Sequence, residues 1–127
     1  MTGNRPSTTQ ARTLLYLQAV RIIEREFGDQ LELDALALRV SGSRRQLQRA
    51  FAEAGGTTFR DHLTGVRIDR AADLLRTTEL PVREIANRVG YRQHAQFAKA
   101  FRRLRGRVPS AYRAAARSSD ASIASRA

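Results

Sequence analysis

Apolar residues along this chain recur at three- and four-residue intervals, the period of an amphipathic helix, and no stretch alternates in the manner of a half-buried strand. Leu14, Leu15, Leu17, Ala19, Val20, Ile22, Ile23 and Phe27 set a first helix from about Ala11, and Gly28 ends it. A two-turn helix over residues 35–40 follows, with Asp34 ahead of it. The turn Ser41-Gly42-Ser43 then places Ser43 to cap a third helix of about residues 44–54, closed by Gly55-Gly56. Thr58 and Asp61 have capping-box spacing at the head of a long helix that reaches about Arg76. Its apolar positions spread over more than one stripe, as in a helix packed on two sides. Helices over residues 82–89 and 93–105 come next, the second stopped by Gly106, and Pro109 opens a short last helix over 110–117. The polar start, residues 1–10, is expected to be flexible, and the tail, residues 118–127, disordered. The expected fold is all-α, with about seven helices.

One unit occurs twice. Leu36-Ala37-x-Arg39-Val40 returns 49 residues later as Ile85-Ala86-x-Arg88-Val89. Leu47-x-x-Ala50-Phe51 returns 50 residues later as Phe97-x-x-Ala100-Phe101, and Gly56 returns as Gly106. The extra residue falls in the turn between the two helices, where a change of length is tolerated. Each unit is a short helix, a glycine-containing turn and a longer helix: a helix-turn-helix. Two copies are too few for a solenoid.

Charge narrows the partners. The chain has 127 residues, 23 Lys+Arg against 12 Asp+Glu, and a net charge of +11. Lys99 is the single lysine. Residues 1–34 carry net −1, whereas residues 35–127 carry net +12, and between Ile85 and Ser119 there are nine basic residues and no acid. Such a field attracts polyanions. The absence of cysteine excludes a disulfide framework, a cysteine-ligated zinc site and a cysteine nucleophile. His62 and His94 lack metal-ligand spacing, and no Ser/His/Asp order, phosphate-cradling loop or carboxylate pair stands out, so neither an enzyme nor a cofactor is expected. No apolar run approaches a membrane span.

The motifs IANRVGY, FAKAFRR and GRVPSAYR, with the first unit LELDALALRVSGSRRQLQRAF, resemble the DNA-binding domain of AraC/XylS-type bacterial transcription regulators over roughly residues 15–113. The resemblance implies two homeodomain-like helix-turn-helix lobes (about residues 34–55 and 82–105) joined by a helix over about residues 58–76, within a DNA-binding domain over residues 11–117. Each lobe would place its second helix in a major groove. Few residues precede the match, so the chain resembles either the stand-alone, MarA-like members or the DNA-binding fragment of a longer regulator.

On the first recognition helix Leu47, Ala50, Phe51 and Ala54 form the inward stripe, leaving Arg44, Arg45, Gln48 and Arg49 for base edges. Arginine can be bidentate to guanine and glutamine to adenine. On the second, Phe97, Ala100, Phe101 and Leu104 point inward, leaving His94, Ala95, Gln96, Ala98 and Lys99 as outer positions, with His94, Ala95, Gln96 and Lys99 as the base-reading candidates. Two of these outer positions, Ala95 and Ala98, offer only apolar contact, so this half should read bases less. Arg92, Arg102, Arg103, Arg105 and Arg107 suit backbone anchoring. Arg67 is expected in an ion pair with Asp61 or Asp69, Tyr91 as packing at the turn, and Tyr112 as a cap on the core. The expected partner is double-stranded promoter DNA, bound by a monomer in the cytoplasm at the nucleoid, with RNA polymerase as a second partner and no membrane or metal. The competing reading is a low-specificity basic nucleic-acid-binding module.

Overall fold

The computed structural model describes residues 8–126, with side chains described through residue 119. Seven helices follow one another: α1 (Thr8–Glu26), α2 (Leu33–Arg39), α3 (Arg44–Gly55), α4 (Phe59–Thr77), α5 (Val82–Arg88), α6 (His94–Arg105) and α7 (Pro109–Arg126). Among the described residues there is no strand. The chain divides into two compact units, residues 1–63 and 64–127, and the division falls inside α4.

In the first unit α3 packs on α1 and α2. Its core is Ala19 and Ile23 of α1, Leu36 and Ala37 of α2, and Leu47, Ala50 and Phe51 of α3. Phe51 is the hub: the Tyr16 ring meets it edge-on at 5.4 Å, Phe59 stands at 6.0 Å and His62 at 5.7 Å. Gly55 permits the close approach of α1, since a Cβ there would lie 2.5 Å from the Tyr16 ring.

The second unit repeats the plan with α5, α6 and α7. Ile85, Ala86, Phe97 and Phe101 are buried, and Tyr112 of α7 meets Phe101 edge-on at 5.1 Å. Position 112 lies 50 residues beyond His62, so the repeat extends past the helix-turn-helix into the next helix. The helix α4 changes its buried side along its length. Leu63 lies at one angle, while Ile68, Ala71, Ala72 and Leu75 line another, which accounts for the two apolar stripes.

The two turns are backbone copies. The Gly42 N–H donates to the Ala37 carbonyl at 2.9 Å, and the Tyr91 N–H donates to Ala86 at the same distance. Ser41 (φ 60°) and Gly90 (φ 103°) occupy the same left-handed position before them. The inserted residue is visible: α2 ends at Arg39 and α3 begins at Arg44, whereas α5 ends at Arg88 and α6 begins at His94.

Three expectations are corrected. The helix α1 starts at Thr8 rather than Ala11, while residues 1–7 of the expected flexible start lie outside the described residues. The last helix does not stop at Arg117 but runs to Arg126, because its alanine- and serine-rich end holds no glycine or proline to break it; residue 127 lies outside the described residues. Asp34 does not precede α2. It sits in the first turn, where its charge favours the helix N-terminus, and Glu32 is the capping residue without a side-chain bond.

Candidate nucleic-acid interface

Each second helix of a helix-turn-helix has one buried and one open side here. On α3 the Leu47–Ala50–Phe51 stripe is fully buried, and Arg44, Arg45, Gln48 and Arg49 are all exposed. On α6 Phe97 and Phe101 are fully buried, and His94, Ala95, Gln96 and Lys99 are exposed. Arg92, Arg102, Arg103, Arg105 and Arg107 are exposed as well. Ala54 and Leu104, assigned to the inward stripes by their spacing, are both exposed, Leu104 by 44%. Each lies in the final turn of its helix, just before the glycine that ends it, where the chain leaves the core.

The helix starts differ. Ser43 caps α3 with a complete capping box: its hydroxyl accepts from the Gln46 N–H at 3.1 Å, and the Ser43 N–H donates to Gln46 Oε1 at 2.8 Å. That box fixes the first turn, from which Arg44 and Arg45 project. Gln93 at the head of α6 makes no side-chain cap bond.

Ion pairs also divide unevenly. Asp34 of α2 faces Arg44 at 3.3 Å, and Glu53 on α3 pairs with Arg12 of α1. On the second unit's recognition helix Arg105 pairs with Asp69. Among the described residues no carboxylate pairs with Arg45, Arg49, Arg92, Lys99, Arg102, Arg103 or Arg107. These guanidinium and ammonium groups keep their full hydrogen-bonding capacity for an anion.

Arg67 is half-buried and lies over the Tyr91 ring at 5.6 Å, while Asp69, one of its expected acidic partners, pairs with Arg105. Tyr91 packs on Phe97 at 5.5 Å, at the turn. Arg113 has a role that spacing did not reveal. Its Nε donates to the Leu75 carbonyl at 3.1 Å and its Nη2 to the Leu80 carbonyl at 2.6 Å, tying α7 to the end of α4 and the turn beyond it. The adjoining Arg117 pairs with Glu79 at 2.7 Å. The free carbonyls at a helix C-terminus signal that a cation is wanted there, but a partner 38 residues away cannot be read from local pattern. Among the described residues no group of His, Asp or Glu could hold a metal ion, and no helix is long and apolar enough to cross a membrane.

A family model described as a helix-turn-helix domain matches residues 36–115. Regulatory protein SoxS of Escherichia coli (strain K12) is 36% identical over 91 residues, covering 72% of this chain and 85% of SoxS. The chain belongs to the AraC-type family of helix-turn-helix regulators. Among solved structures, the C-terminal domain of AraT, a response regulator from Geobacillus stearothermophilus, is 35% identical with a TM-score of 0.77, covering 80% of this chain and 84% of that one. The DNA-binding domain of AdpA, solved in complex with a target DNA, is 33% identical with a TM-score of 0.78, covering 81% of this chain and 93% of that one. The chain spans 34%, 13% and 32% of the length of three longer curated relatives. The AraC-type domain is therefore a module that occurs within larger regulators.

Proposed function

We propose that this AraC-type chain is a sequence-specific regulator of transcription that binds double-stranded DNA, with α3 and α6 entering successive major-groove segments. The observation that carries the reading is the pairing, on both helices, of a fully buried aromatic side with an exposed side of Arg45, Gln48 and Arg49 or of Gln96 and Lys99. Bases are read from Arg44, Arg45, Gln48 and Arg49 in one half-site and from His94, Ala95, Gln96 and Lys99 in the other; Arg92, Arg102, Arg103, Arg105 and Arg107 grip the backbone. The target DNA held by the AdpA domain supports the same partner here. The reading assigns the protein no chemistry. It places the chain on nucleoid DNA in the cytoplasm as a monomer that covers about 20 base pairs of an asymmetric site, since two unlike recognition helices need no second copy. RNA polymerase is the second partner in this reading.

The test is selection of bound sequences from a random duplex library, followed by competition of the selected duplex against bulk DNA and RNA. Tight binding that bulk DNA does not compete supports the reading, and equal competition by all polyanions replaces it with a low-specificity basic module. Affinity should fall by about 0.9 log units per log unit of salt for each phosphate neutralised, and a slope for fewer than about three phosphates would overturn docking by both lobes. Sedimentation on a single site reads the stoichiometry, and two copies per site would overturn the monomer.

A further inference from the structure

We infer that Asp34 is a positioning residue for base readout: its carboxylate holds the Arg44 guanidinium in the orientation that meets a base edge. This rests on the proposed reading of Arg44 as a base contact. Arg44 is the first residue of α3, and residues at the start of a recognition helix are those that reach into the groove. A long side chain at such a place samples many rotamers, and each must be frozen when it binds. The Arg44 Nη1 donates to Asp34 Oδ1 at 3.3 Å, leaving most of the five guanidinium N–H groups unused. Both backbones are fixed. Asp34 lies in the first turn of α2, the turn that follows is closed by the Gly42-to-Ala37 hydrogen bond at 2.9 Å, and the Ser43–Gln46 box locks the start of α3. The pair is open, with 60% of the Arg44 side chain and 70% of the Asp34 side chain exposed, so it lies where a docking duplex would expel water. Loss of that water strengthens the attraction at the moment of recognition.

The second unit lacks the device. At the repeat offsets of 49 and 50 residues, Arg83 stands where Asp34 does and His94 where Arg44 does. The adjacent acid, Glu84, pairs with Arg88 instead. The buttress thus belongs to the half of the site with the richer set of base-reading side chains.

The experiment is a double-mutant cycle on the full chain: Asp34→Asn, Arg44→Ala and both together, each titrated against the library-selected duplex and single-base variants of it, with a thermal melt of each protein. Asp34→Asn should lower discrimination at one base pair by up to about fivefold, as befits an exposed ion pair, and leave discrimination at the other positions unchanged. In the Arg44→Ala background the same substitution should change nothing at that base pair, and Asp34→Glu should restore part of the preference. A merely helix-stabilising Asp34 would lower the melting temperature in both backgrounds and leave base preference intact, which overturns the inference. A rise in affinity for all duplexes alike would show that Asp34 only repels phosphate, and overturns it too. Absence of any base preference in the unsubstituted chain would overturn the regulator reading along with this one. Preference that survives Asp34→Asn overturns this one alone.

Discussion

Matching the two units position by position, at offsets of 49 and 50 residues, pairs Phe51 with Phe101 and Ala37 with Ala86, but Asp34 with Arg83 and Glu53 with Arg103. The buried positions are alike while these two acids of the first unit become arginines in the second. In the first unit α3 is capped by Ser43, faced by Asp34 and tied to α1 through Glu53. In the second, α6 has no side-chain cap and carries Arg102, Arg103 and Arg105 in its last turn. A recognition helix whose first arginine, Arg44, is oriented by a neighbour suits reading of bases, and one with a row of cations suits a grip on phosphates. The difference teaches that one core plan tolerates opposite surface electrostatics, because the surface charges contribute little to the fold while the core aromatics contribute much.

The largest expected effect tests the shared half of that comparison. Phe51→Ala and Phe101→Ala each empty the centre of a unit, since both rings are fully buried, and each should cost about 3–5 kcal/mol. Amide hydrogen exchange should report the loss first in the unit that carries the substitution. A cost under about 1 kcal/mol at either position would show that the two cores are not equivalent.

Next come the helix surfaces. Arg49→Ala should cost about 1–3 kcal/mol on the preferred duplex and relax the base preference in one half-site. Arg103→Ala should weaken good and poor duplexes alike and lower the salt slope by about 0.9. Equal losses on every sequence for both substitutions would erase the assigned division between reading and gripping.

The helix starts offer a smaller contrast. Ser43→Ala removes the hydroxyl half of a capping box, the acceptor of the Gln46 N–H, and should cost about 1 kcal/mol. Gln93→Ala removes no cap bond, because the Gln93 side chain makes none, and its melt should shift little. Similar losses at both positions would mean that α6 acquires a cap in solution.

Much of this was legible in the chain. The helical periods, the repeat, Ser43 as a cap and the glycines that end α3 and α6 are local signals, set by residues within one or two turns of each other. The exposed faces of α3 and α6 follow from the same periodicity. What escaped depends on distance or on a missing stop signal. Arg113 reaches carbonyls at Leu75 and Leu80. Gly55 matters because of Tyr16, a residue of another helix. The long α7 shows that polar composition alone does not end a helix when alanine continues it. Ala54 and Leu104 fit an inward stripe by period, yet the last turn of each helix has already left the core.

The smallest expected effect sharpens the one place where the cores differ. His62 of the first unit stands where Tyr112 stands in the second, each against the central phenylalanine. The His62 imidazole is partly enclosed, with Tyr16 at 6.1 Å, and its Nε2 is buried without a hydrogen-bond partner among the described residues. Burial lowers its pKa below the ordinary 6.5, and the negative charge of Glu24 of α1 pulls the other way with a smaller effect. A proton is therefore held more weakly in the folded chain than in the unfolded one. The contribution of neutral His62 is intact above pH 6.5 and is lost progressively as pH falls from there toward the lowered folded value, below which the loss levels off. The Glu26 carboxyl, held down by its hydrogen bond from Arg39, loses its contribution only below its ordinary 4.5, so the two windows separate. Urea unfolding followed residue by residue by NMR should show the first unit weakening between pH 7.5 and 5.5 while the second holds. His62→Phe should remove that weakening, since a phenyl ring keeps the aromatic contacts and takes no proton. An equal acid response in both units, or one that persists in His62→Phe, would assign the effect to some other group.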